Sequence, residues 1–282
     1  MIAVLDTVRG LLHAQLGTYR RPCPACDRGP KDSALSVTVD ARGALWHCHR
    51  CGSSGALTHE GNTRGPAPTA RPVAAMPLDW SLDAARIWKR TEPLRGTLGA
   101  KYLETRGCRL PPADSDLRYL PPQGDLPPSL CAAITDVLTG RRISLHFTRL
   151  RADGSGKAGT GRDKLLLKGH RKRGGCIRLW PDESVTTGLA IAEGLETALA
   201  AAHRFTPIWA TVDCANLAAF PVLAGIESLT IYADHDPAGI AAARACARRW
   251  RDAGREVNAR VPKQAGQDVA DIAAAIRARR SA

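Results

Sequence analysis

The sequence predicts an α/β fold: a mostly parallel sheet with helices on both faces, preceded by a basic α+β segment and a small cysteine-bearing β module. Three observations predict it. Toward the C-terminus, apolar strand-like runs alternate with helical runs, the pattern of a sheet covered on both sides. Near the N-terminus, two Cys-x-x-Cys pairs bracket a stretch of period-two alternation. Between them the charge is concentrated: of the net +13 over 282 residues, +4 falls in residues 1–78, +10 in 79–180 and −1 in 181–282.

The N-terminal module spans residues 1–59. It opens with the helical pattern "MIAVLDTVRGLLHAQLG", in which Asp6, Arg9 and His13 interrupt the apolar residues, so it lacks the plan of a signal peptide. Cys23 and Cys26 form one pair, and Cys48 and Cys51 form the other, 21 residues further on. Leu35, Val37 and Val39 alternate, a turn is expected at "DARG", and Ala44 and Trp46 resume the alternation. Two hairpin ends converging on one ion make a zinc ribbon, with four thiolates around one structural Zn²⁺. His47 and His49 flank Cys48 and stand as alternative ligands. The nine cysteines are an odd number, which argues against a full disulfide framework. With free or metal-bound thiols and no apolar run near the ~20 residues of a membrane span, a reducing cytoplasm and no membrane partner are expected.

Residues 60–78, rich in Pro, Gly, Ala and Thr and without period, are expected to be a linker. The basic α+β segment, 79–185, starts with a helix capped by Ser81, broken near Pro93 and resumed from Gly99 to Thr105. Strand-like "LCAAITD" and "RRISLHFTRL" follow, then a glycine-rich run containing Lys157, Arg162, Lys164, Lys168, Arg171, Lys172, Arg173 and Arg178. "GSGKAG" is not a nucleotide-binding P-loop, because Arg151 stands where that motif needs its first glycine. As a group these cations suit a phosphate groove and a polyanionic partner.

Residues 186–282 alternate "TGLAIAEG", "LETALAAAHR", "TPIWATVD", "ANLAAF", "SLTIYAD", "PAGIAAARACARRWRDAG", "EVNARVP" and "DVADIAAAIRARR" as strand and helix. Ligands of such folds gather at the carboxyl ends of the strands, where Glu193 and Asp234 stand. Asp234 and Asp236 lie two residues apart, roughly 6 to 7 Å in extended backbone. They can share a hard cation that keeps oxygen ligands. Asp236 also precedes Pro237 as a helix cap would.

Glu193-Gly194, followed 41 positions later by "ADHDPAG" with Asp234 and Asp236, resembles the Toprim domain. That domain is shared by bacterial-type primases, topoisomerases, OLD-type nucleases and RecR-type mediators. Asp268 resembles a further acidic position of primases, and a helix cap explains it equally well. The order of cysteine ribbon, linker, basic segment and Toprim resembles bacterial, phage and plasmid primases. The basic segment also looks like the N-terminal half of their catalytic core.

The resemblance implies a DNA primase, a nucleotidyltransferase joining NTPs into short RNA on single-stranded DNA. Glu193, Asp234, Asp236 and Asp268 would hold a pair of Mg²⁺ or Mn²⁺ ions, with Glu193 as ligand or general base. Arg149, Lys164, Lys168, Arg171 and Arg173 would contact triphosphate and template. The ribbon would select the template site, stacking bases on Trp46. A separate replicative helicase is a further expected partner, and the compact layout suggests a phage or plasmid gene in a bacterial cell or phage-infected host. The rivals are a RecR-like non-enzymatic mediator, against which the +10 segment and the D-x-D count, and a Toprim nuclease. None of Tyr19, Tyr102 or Tyr119 stands in a context recognisable as a topoisomerase nucleophile.

Overall fold

The computed structural model describes residues 2–26, 29, 32–59, 63–64 and 79–262. Asp268, the predicted final helix and most of the expected linker lie outside the described residues. The chain divides into two compact units, Met1–Ala74 and Ala75–Ala282. Among the described residues no helix is long and apolar enough to cross a membrane.

In the first unit a helix, α1 (Ile2–Arg9), precedes five strands: β1 (Gly17–Arg21), β2 (Leu35–Asp40), β3 (Gly43–Cys48), β4 (Ser54–Thr58) and β5 (Thr63–Arg64). They pair antiparallel in chain order. The expected turn between β2 and β3 is closed by Asp40, whose Oδ1 accepts from the Arg42 and Gly43 backbone N–H groups at 2.7 and 3.1 Å. Gly43 is obligatory there: a Cβ would stand 1.9 Å from the Leu57 carbonyl oxygen. Leu35, Val37 and Val39 pair with Cys48, Trp46 and Ala44, so the period-two residues share one face. That face is buried with Val4 and Val8 of α1 and Leu12 of the turn after it.

The second unit begins with α2 (Leu82–Lys89) and α3 (Leu98–Thr105). Ser81 caps α2 by accepting from Ala84 N–H, and Thr97 caps α3. Five strands follow: β6 (Leu117–Leu120), β7 (Ser129–Asp136), β8 (Arg142–Arg149), β9 (Lys164–Leu166) and β10 (Gly175–Arg178). Then come β11 (Gly188–Ala192), α4 (Leu195–Ala201), β12 (Ile208–Ala210), α5 (Cys214–Ala219), β13 (Ser228–Tyr232), α6 (Pro237–Asp252) and β14 (Glu256–Arg260).

Their sheet has the order β14-β13-β11-β12-β10-β7-β8-β9, with β6 beside β7. Among the described residues the last four strands, β11 to β14, pair in parallel, as expected. β10 pairs antiparallel with both β12 and β7, so one sheet runs without a break across residue 185. The parallel strands are buried on both faces. Ala190 and Ala192 pack with α4, whereas Leu189 and Ile191 pack with Leu217 of α5 and with Ala243 and Trp250 of α6. Parallel registers bring the ends of β11, β12 and β13 level, since Ala192 is opposite both Ala210 and Tyr232. Everything that leaves those strands enters one place.

Candidate functional site

In the first unit the sulfur atoms of Cys23, Cys26, Cys48 and Cys51 all lie within 4.8 Å of one another. Cys23 Sγ is 3.9 Å from Cys51 Sγ, and Cys26 Sγ is 3.7 Å from Cys48 Sγ. A tetrahedron with 2.3 Å metal–sulfur bonds has edges of about 3.8 Å, so the set fits Zn²⁺. The chemistry of the donors agrees. Burial and the neighbouring sulfurs push the Cys26 thiol up to about 12. Burial acts the same way on Cys48, but N–H groups of Cys51 and Arg50, each 3.5 Å from its sulfur, hold it at about 7. Four thiolates this close need a dication to coexist. His47 and His49 stand outside the cluster as exposed side chains whose rings contact each other.

Trp46 is corrected by its position. Its side chain is buried within the hairpin core, and Gly55 packs so closely on its ring that a Cβ there would lie 2.3 Å from it. It cannot offer a stacking face to a base, because its apolar period puts it on the same side as Val37.

In the second unit Glu193 follows β11, Asp213 follows β12, and Asp234 and Asp236 follow β13. Glu193 is half-buried and its carboxyl is pushed up to about 7, first by burial and then by Asp234, Asp236 and Asp213, against Lys164. Glu193 thus lies in the field of three further carboxylates, although among the described residues only the cysteines bring three or more ligand atoms within 4.8 Å of one another. Thr197 Oγ1, in the first turn of α4, donates to Asp234 Oδ1 at 3.5 Å. Asp236 caps α6, its Oδ1 accepting from Gly239 N–H at 2.7 Å. Gly239 also lets α6 approach Asp234, whose carbonyl oxygen would be 2.6 Å from a Cβ at 239. Carboxylates gathered at one end of a sheet suit a hard divalent cation, which takes oxygen ligands.

The cations separate into two faces. On β8 and β9, Thr148 is opposite Lys164 and Phe147 is opposite Leu165. Lys164 points toward α4, where its Nζ is 2.7 Å from Glu196 Oε2; Lys157 Nζ is 3.0 Å from Oε1 of the same carboxylate. Arg149 and Lys168 line a different space, a groove of about 250 Å³ with Phe147, Leu165 and Leu167. Side chains alternate along a strand, so Arg149, next to Thr148, stands on the face opposite Lys164, and Lys168, in the turn after β9, lines the same groove as Arg149.

Arg171 is engaged elsewhere. It donates two bonds to Asp79, at 2.9 and 3.1 Å, and one to Asp136 at 3.0 Å. Arg173 is exposed and supplies a backbone carbonyl to Arg171. Lys172 instead reaches the carboxylates, 2.7 Å from Asp213. Its loop is tied to α5 by Asn216, which donates to Lys172 O and accepts from Gly174 N–H. The sequence pattern does not single out Asp213, Glu196, Lys157 or Lys172 as site residues. The lysines belonged to the basic run, but no local pattern separates them from their neighbours.

Residues 188–277 match the model of the Toprim domain. The C-terminal part of this chain is a Toprim domain. It contains Glu193, Glu196, Asp213, Asp234 and Asp236, and its matched span extends over Asp268. Residues 80–179, immediately before Toprim, match a domain of unknown function, DUF7146. No curated protein matches the chain. Among solved structures it is similar to the primase fragment of the bacteriophage T7 primase-helicase protein, at 14% identity over 93% of this chain and 96% of that one, TM-score 0.44. It is similar also to the zinc-binding and RNA polymerase domains of the Aquifex aeolicus primase, at 14% identity over 98% and 84%, TM-score 0.45. A DNA primase domain from Pseudomonas aeruginosa matches at 17% identity over 67% and 60%, TM-score 0.37.

Proposed function

We propose that the chain is a DNA primase, a nucleotidyltransferase that joins NTPs into short RNA on a single-stranded DNA template. One observation carries the reading: Glu193, Asp234 and Asp236 converge at the exits of neighbouring parallel Toprim strands, with Lys164 beside them. The reaction forms a bond between a 3′-oxygen and an α-phosphorus, releases pyrophosphate, and requires the hydroxyl to lose its proton. Mg²⁺ or Mn²⁺, held as a pair by Glu193, Asp234, Asp236 and the further carboxylate Asp268, would neutralise the attacking and leaving oxygens.

The chain's own groups do the rest. Thr197 orients Asp234, while the capping bond of Asp236 occupies Oδ1 and leaves Oδ2 for a second task. Glu193, held at about 7, is poised to accept a proton near neutral pH if it serves as the base. Lys164 and Lys157 supply positive charge for the triphosphate. Arg149 and Lys168, which line a separate groove, suit the template backbone better than the triphosphate. The unit built on Cys23, Cys26, Cys48 and Cys51 would select the template site.

On this reading residues 1–59 are the ribbon, 60–78 the linker, 79–185 the basic subdomain and 186–282 Toprim. The setting is the cytoplasm of a bacterium or a phage-infected host, with a separate replicative helicase as partner and a phage or plasmid as the source of the gene.

The test is incorporation of labelled ribonucleotides on a mixed single-stranded template with Mg²⁺ or Mn²⁺. Wild type should make short RNA, and Asp234→Ala combined with Asp236→Ala should make none; synthesis retained in that variant overturns the proposal. Nicking of the labelled template would instead favour a nuclease, and DNA binding without incorporation a mediator.

A further inference from the structure

Glu196 is only 3% exposed, yet it is an acidic residue in the first turn of α4. A carboxylate there is ordinarily explained by the helix dipole or by the free N–H groups of the turn. The partners of Glu196 are of another kind. Oε1 accepts from the Tyr102 hydroxyl of α3 and pairs with Lys157, and Oε2 pairs with Lys164 of β9. Both oxygens are thus turned to groups that come from the segment preceding Toprim.

The lysines are placed as well as paired. Lys157 sits in a glycine-rich loop closed by its own bonds: Arg151 N–H to Gly156 O at 2.9 Å, Ala158 N–H to Arg149 O at 3.0 Å, and Gly159 and Thr160 N–H groups to the Asp163 carboxylate. Lys101 Nζ donates to Asp153 O at 2.8 Å and anchors the same loop. The side chains of Lys157 and Lys164 remain 34% and 48% exposed, while that of Glu196 is 5% exposed. An ammonium carries three donors, so one bond to Glu196 leaves two on each lysine for an anion arriving from solvent. The three charges sum to +1, so the pair stays attractive to phosphate. His146 lies beneath; burial and then Lys164 lower it to about 4, so it is neutral and adds no competing charge.

We infer that Glu196 is a positioning residue. It holds the ammonium groups of Lys157 and Lys164 as a preset pair for the triphosphate of an incoming nucleotide, with Tyr102 fixing the carboxylate. Preordering removes the cost of immobilising two flexible side chains when the substrate binds. This rests on the primase reading for the identity of the nucleotide but not for the binding of triphosphate.

The experiment uses the full chain. Glu196→Gln keeps the shape and the Tyr102 bond and removes the charge. Its affinity for inorganic tripolyphosphate, measured by calorimetry without added divalent metal, should fall about tenfold, the scale of a lost charge-assisted bond. The KM for NTPs should rise by a similar factor with kcat within about threefold, as expected when ground-state and transition-state binding are lost together. Amine acylation read by mass spectrometry should quicken several-fold at Lys157 and Lys164, because side chains released from Glu196 swing more freely into solvent. Combining the variant with Lys164→Met should cost less than the product of the two effects.

A merely structural Glu196 would lower the Tm and move neither acylation nor the KM-to-kcat split. Unchanged affinity and acylation in folded Glu196→Gln overturn the inference. Should that variant fail to fold, Tyr102→Phe keeps every charge and should lower triphosphate affinity about threefold; no change in folded Tyr102→Phe overturns the inference in its place. Triphosphate affinity that falls while wild type makes no RNA overturns the primase reading and leaves the positioning role standing.

Discussion

Arg171 and Lys164 were given one role by the sequence, and their surroundings separate them. Arg171 spends its guanidinium on Asp79 and Asp136, which it helps to hold below the usual carboxylate range. Arg171→Ala should therefore lower stability by about 2 kcal/mol, the scale of a lost bidentate pair, and leave the KM for NTPs unchanged; Lys164→Ala should raise that KM. Denaturation and steady-state kinetics on the two variants check this. Glu196 adds a pH signature. Against its burial, which acts upward, Lys164 and Lys157 bring the carboxyl from 4.5 down to about 2. A folded value below the unfolded one gives stability that is present above pH 4.5 and lost as the pH falls toward 2. Glu196→Gln should flatten that loss, by up to about 3 kcal/mol, in melts recorded from pH 5 to 2. Glu193, Asp234 and Asp236 were legible because each stands where an apolar run ends, a purely local signal. Asp213 was not: it ends a strand just as they do, but its relevance comes from β12 lying beside β11, a pairing between distant residues. Trp46 was legible and misjudged, since the alternation that predicted β3 already placed it with the core.

At the scale of elements, the loop from β13 into α6 couples backbone packing to chemistry. Gly239→Ala keeps a good helix former in the first turn of α6 but forces a Cβ against the Asp234 carbonyl. The expected outcome is at least a tenfold loss of kcat, following misplacement of the carboxylate, with little change in helical circular dichroism; activity near wild type would show that the loop can yield. The helices α2 and α3 were legible through Ser81 and the apolar period, β7 through its apolar run, and β8 through the alternation of Ile143, Leu145 and Phe147 with polar residues. The joining role of β10 was not. "GGCIR" reads as a short strand, but no local feature says that Ile177 and Arg178 will pair with Ala210 and Trp209 while Gly175 and Cys176 pair with Asp136 and Thr135. A strand with different neighbours along its two edges is a property of topology and not of composition.

For the whole molecule, the two units draw on different sources of stability. The first has a small core and four clustered sulfurs, so a chelator should melt it while the second unit keeps its thermal transition. Trp46 is the one tryptophan of Met1–Ala74, and the other five belong to Ala75–Ala282. Subtracting the emission of Trp46→Phe from that of wild type during chelation isolates the first unit, and a wild-type signal that does not move would count against a metal-held fold. The seam between β10 and β12 reaches further. A gene divided at residue 185 would yield two polypeptides, each with a bare strand edge of unpaired N–H and C=O groups. Produced apart, the halves would be sticky and short-lived. Produced together, they would recognise each other by the same hydrogen-bond register that now joins them, which makes the seam a ready split point for a two-part complementation reporter.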